Sequence, residues 1–91
     1  MTILSINYDL RKPTRNYDDL YKAIKGISGH WAHPLESFWL VKTTKTSAQV
    51  RDLLKAHMDS NDKLVVAVFG VWASYNLSDE VVQWLSRPLA V

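Results

Sequence analysis

The chain contains no cysteine. That absence removes disulfides, thiolate zinc sites and thiol catalysis together, and it agrees with a reducing compartment. Glycine and proline are scarce, with three of each. Gly26, Gly29 and Gly70 stand in none of the contexts that a phosphate-cradling loop or a strand–Ser–helix elbow needs, so P-loop hydrolysis and triad chemistry are disfavoured. No apolar run approaches the ~20 residues of a membrane span. Met1–Ile6 is too short for a signal peptide and is interrupted at once by Asn7 and Asp9. The expectation is a cytoplasmic protein without a membrane partner. Charge is not concentrated either: a net +2 permits contact with phosphates without demanding it.

Apolar content is plentiful. Of 91 residues, 47% are hydrophobic, including four Trp, four Tyr and two Phe. The length predicts one domain, residues 1–91, with a thin core. Each aromatic buries about 150–250 Å². Ten of them in so small a unit either fill the core or spill onto an interface, which points toward an oligomer.

Along the chain, Leu4, Ile6 and Tyr8 alternate with Ser5, Asn7 and Asp9, predicting a strand over Thr2–Asp9. Pro13 ends any extended run. Asn16 suits an N-cap with Asp18 and Asp19 behind it, and Leu20, Ala23, Ile24 and Ile27 give a helix over Tyr17–Ile27 closed by Ser28–Gly29. His30–Leu35 reads either as a short strand or as a loop broken by Pro34. Glu36–Thr43 is a strand rich in β-formers. Thr46 or Ser47 caps a second helix in which Val50, Leu53, Leu54 and His57 share one side. After the polar turn Asp59–Asp62, Lys63–Phe69 is a continuous apolar strand of the kind buried on both faces. Residues 71–91 form an apolar C-terminal extension with a Ser78-capped helix stopped by Pro88, and this segment must pack on its own sheet or on a second subunit. The order predicts an α+β, ferredoxin-like βαββαβ sandwich: a four-stranded antiparallel sheet, two helices on one face, a bare opposite face and a short C-terminal helix.

Several constellations are candidates for chemistry. Asp9 ends the first strand on the side away from the helices. It reads either as a carboxylate for a divalent ion, completed by a second copy across a two-fold axis, or as an Asx-type turn residue. Arg11, Lys12 and Arg15 place three cations beside it, suited to a nucleic-acid backbone or to a solvated loop answering Asp18 and Asp19. His30 and His33 lack a third ligand nearby and would point to opposite faces of a strand, so packing and hydrogen bonding fit them better than a metal. Trp72, Tyr75 and Trp84 are the candidate interface residues.

Ile6–Leu10, Asn16–Leu20, Ser37–Val41, Asp59–Asp62, Trp72 and Tyr75–Ser78 together resemble a family of small bacterial proteins catalogued as "SinR family" hypothetical proteins. More distantly, the Tyr8–Asp9 strand end and the Ser37–Phe38 strand look like the dimeric ferredoxin-like nucleases, namely the small endonuclease subunit of CRISPR adaptation and the VapD-type ribonuclease toxins. That resemblance implies a homodimer in which Asp9 takes the metal-binding, catalytic position, with Mg²⁺ or Mn²⁺ as cofactor and RNA or DNA as substrate. The competing expectation is a non-catalytic dimer acting as a scaffold for a protein partner.

Overall fold

A computed structural model describes residues 1–11 and 16–87. Lys12, Pro13 and Arg15 lie outside the described residues, as does Pro88. The elements are β1 (Thr2–Asp9), α1 (Asp18–Lys25), β2 (Trp31–Leu35), β3 (Phe38–Thr43), α2 (Ser47–Lys55), β4 (Lys63–Val68) and α3 (Asp79–Ser86). The strands form one antiparallel sheet in the order β2-β3-β1-β4, the ferredoxin-like arrangement.

Local chemistry sets the helix starts. At α2, Thr46 Oγ1 accepts from Gln49 N while Thr46 N donates to Gln49 Oε1, a complete capping box. At α3, Ser78 accepts from Val81 N. At α1 the cap is shifted by one residue: Asn16 Oδ1 accepts from Asp18 N at 2.9 Å, while Tyr17 turns inward and is buried. Gly29, at φ +75°, makes the turn into β2, a conformation that an L side chain rarely adopts.

Leu4, Ile6, Trp39 and Val41 point to the face that α1 and α2 cover, where Leu20, Ile24, Val50 and Leu54 complete the main core. Leu40, Phe38, Ala32 and Ile3 point the other way. That second face is not bare, as the sequence led one to expect. Val81, Trp84 and Leu85 of α3 fold back onto it with Phe69, making a second apolar layer over β2 and β3. Among the described residues, the C-terminal helix thus packs on the chain's own sheet. Lys42, flanked by these groups, is buried; its Nζ donates to Trp84 O at 3.1 Å and lies 4.4 Å from the Trp84 ring centroid. This puts a cation at the carboxyl end of α3, where the helix dipole favours one. Burial pulls the Lys42 pKa below the ordinary lysine value, and the neighbouring Arg87 adds to the shift.

Strand β4 departs from expectation. Its apolar run is an edge rather than a strand buried on both faces, and no residue of it is fully buried. The strand enclosed on both sides is β3, which shares the centre of the sheet with β1. At the opposite edge, β2 carries Pro34 and a register irregularity between Ala32 and Leu35, two devices that blunt an edge.

Leu85 is 8% exposed and anchors the second layer. Leu85→Ala is expected to lower unfolding stability by about 2–5 kcal/mol in urea titration. Limited proteolysis of the variant should begin in the segment after Gly70.

Candidate functional site

The β1–α1 junction meets the α2–β4 turn at one end of the sheet, and Asp62 organises both. Its Oδ1 accepts from Arg11 N at 2.7 Å and its Oδ2 from Asp59 N at 2.7 Å. The buried Tyr17 hydroxyl donates to the same carboxylate, 2.9 Å from either oxygen. One side chain therefore ties together the start of α1, the exit of β1 and the turn into β4. Sequence reasoning took Asp59–Asp62 only as a polar turn. The available signal was an Asp three residues after another Asp, where a side chain can close a turn onto backbone N–H groups.

With Arg11 fixed through its backbone, its side chain reaches back to Asp9, and the Nη2–Oδ2 distance is 2.8 Å. Asp9 stands directly opposite Lys63 in the β1–β4 register. Both members of the Asp9–Arg11 pair are about half exposed, so the pair contributes little to stability. Asp9 lies on the face of Ser5 and Asn7, beyond the part of the sheet that α3 covers. A shallow depression of ≈ 200 Å³ runs beside it, lined by Asn7, Tyr8, Asp9, Lys63, Leu64 and Val65. Of the three predicted backbone-binding cations, Arg11 is thus placed beside Asp9, and Lys12 and Arg15 lie outside the described residues.

The histidines serve the β2–β3 hairpin. His33 stacks on Trp39 at a ring separation of 3.7 Å and an angle of 11°, and its Nε2 contacts Glu36 O at 3.0 Å. A carbonyl oxygen only accepts, so Nε2 carries the proton. The same carbonyl accepts from Tyr8 Oη at 3.0 Å, and Trp39 Nε1 donates to Tyr8 Oη at 2.9 Å. Tyr8, Trp39 and His33 together clamp the hairpin turn onto β1. His30 lies one residue before β2 and is exposed. Among the described residues, no three His, Cys, Asp or Glu side chains gather within metal-binding range.

The three predicted interface aromatics separate. Trp84 is held in the second apolar layer against Lys42. Trp72 stacks on Phe69 at 6.4 Å, and Tyr75 is 88% exposed. Trp72 and Tyr75 line an open, mainly apolar groove of ≈ 310 Å³ with Phe38, Leu40, Phe69 and Leu85.

No protein-family model matches the chain, and no solved structure matches it significantly. The likeness to the small bacterial family and to the dimeric nucleases rests on the sequence motifs alone.

Two measurements check this geometry. Asp62→Ala leaves the buried Tyr17 hydroxyl without its carboxylate, and the expected loss is about 1.5–3 kcal/mol of unfolding free energy. Partial burial raises the Tyr8 pKa above 10.0, with the Trp39 bond acting the other way and Tyr21 and Glu36 adding to the rise. The folded state therefore keeps a proton that the unfolded chain has lost. The Tyr8 contribution is full below pH 10 and disappears as pH climbs through its raised value. In an alkaline stability series, Tyr8→Phe should be less sensitive to pH over that window than the parent.

Proposed function

We propose that this protein is a homodimeric binding or scaffold protein that works through protein–protein contacts. The observation that carries the reading is apolar surface left uncovered on a domain with little to spare. Val65, Val68 and Val71 are 62%, 68% and 107% exposed, and Tyr75 is 88% exposed. Scattered apolar side chains are ordinary on any surface, but these lie on one edge strand and on the segment that follows it. The test is a mass measurement in solution at micromolar concentration. The expected particle has twice the 10.4 kDa chain mass, and a monomer would count against this reading.

A second reading, association with nucleic acid and metal-dependent cleavage, is favoured by one specific placement. Asp9 stays accessible on the uncovered part of the sheet, with Arg11 bonded to it and Lys63 opposite. The resemblance to dimeric nucleases assigns it the same role. A single carboxylate suits Mg²⁺ or Mn²⁺ by donor chemistry but is too few alone, so Asp9 from each of two copies would have to meet, releasing Arg11 to the phosphate backbone. The ion would supply Lewis-acid activation of water. This reading expects RNA or DNA cleavage that a chelator stops and Asp9→Asn abolishes with the fold intact. Cleavage that persists in Asp9→Asn sinks it.

A further inference from the structure

The sheet has two edges, and only one is blunted. Pro34 withholds an N–H from β2, and the register irregularity bends it away from regular pairing. β4 has neither device. Over Lys63–Val68 it pairs with β1 without interruption, contains no proline and carries one charge, Lys63, at its first position.

Which backbone groups of β4 face outward follows from hydrogen bonds inside the chain. Phe69 N donates to Ile3 O at 2.8 Å, so the Phe69 backbone points toward β1. Ser5 Oγ donates to Ala67 O at 3.4 Å, and Asn7 Nδ2 to Val65 O at 3.3 Å, placing those carbonyls on the same side. Alternation then turns the N–H and C=O groups of Leu64, Val66 and Val68 outward.

From this we infer that the β4 edge is a docking strand for a second copy of the same chain, paired antiparallel about a two-fold axis through Val66. The inference rests on the homodimer reading above and specifies its interface. A Val66-centred register sets Val66 against its mate and Leu64 against the mate of Val68. It is the one antiparallel register in which all three outward residues of both copies exchange hydrogen bonds. A shift centred on Val65 or Ala67 leaves one outward residue of each copy unpaired. Side chains agree on both faces. Leu64 meets the mate of Val68 on the helix side, and Val65 meets the mate of Ala67 on the other, so the most exposed valines of the edge gain apolar neighbours. The two Lys63 residues fall at opposite ends, about 20 Å apart along the strands at ~3.4 Å per residue. A parallel arrangement would stack them. The chemistry is self-complementary, as a two-fold interface requires.

This dimer also keeps the two Asp9 residues apart, because each sits opposite its own Lys63 at the far ends of the pair. The edge dimer and the shared-ion nuclease are therefore mutually exclusive.

The chain has no cysteine, so single cysteines report register directly. Val65→Cys and Ala67→Cys would be purified separately, mixed under conditions that allow subunit exchange, and oxidised. Directly opposed residues of a pair without backbone bonds have Cα atoms ~4.5 Å apart, inside disulfide range. Diagonal neighbours at ~7–8 Å lie outside it. The expected result is a covalent dimer in the mixture and none in either variant alone. A covalent dimer of Val65→Cys alone, or of Ala67→Cys alone, overturns the register. A parent protein that is dimeric while no combination cross-links overturns the edge interface and leaves the homodimer reading standing. A monomeric parent overturns both. As a second arm, Val68→Pro removes an outward N–H that β1 does not use. It should shift the particle from dimer to monomer mass with the circular dichroism spectrum unchanged, and a Val68→Pro protein that is folded and still dimeric also overturns the edge interface.

Discussion

The structure depends on β3 being enclosed from both sides. Trp39 and Val41 press into the layer under α1 and α2, while Leu40 presses into the layer under α3. A chain this short buries only about 60–65% of the surface its unfolded form exposes, so one apolar layer makes a thin core. Folding the tail back over β2 and β3 gives the sheet a second one. Lys42 shows what that arrangement tolerates: its ammonium is drawn into the second layer and held by the last turn of α3 and the face of Trp84. The removal of water from that charge is offset by a carbonyl, a helix dipole and an aromatic face.

Much of this was legible in the residues. The alternation in Thr2–Asp9 correctly divided Leu4 and Ile6 from Ser5 and Asn7, because a strand at the centre of a two-faced sheet leaves a period of two. Thr46 and Ser47 both stand out as caps of α2 by residue type, and the structure selects Thr46 and adds Gln49 as the other half of a capping box. The apolar run Leu64–Phe69 misled because composition reports what a strand could bury, whereas strand order decides what it does bury. Strand order is non-local: β4 returns to the far side of β1, and nothing within Lys63–Val68 encodes that journey. For Trp84, helical spacing shows an apolar side without showing what lies opposite, and the structure sets it over Lys42.

The candidate site was half legible. Asp9 could be placed on the correct face from alternation, and Arg11 close to it from proximity in sequence. What could not be read was the support beneath them. Asp62 is 51 residues from Arg11 and 45 from Tyr17, and an acceptor shared by two such distant donors leaves no periodic trace. The His33–Trp39 stack is comparable. His30 and His33 drew attention as a pair, yet His33 belongs with Trp39, Tyr8 and the Glu36 carbonyl, in a clamp that the β2–β3 turn brings about.

The asymmetry between the two borders of the sheet bears on how far association can proceed. A sheet receptive at both margins can add copies indefinitely and grow into a fibre. Here Pro34 and the register irregularity of β2 blunt one margin, so growth through the inferred β4 pairing would stop at a closed pair. A five-residue strand interrupted by an imino acid would thus act as a terminator, and the inferred β4 border could be adhesive without drawing the molecule into a polymer.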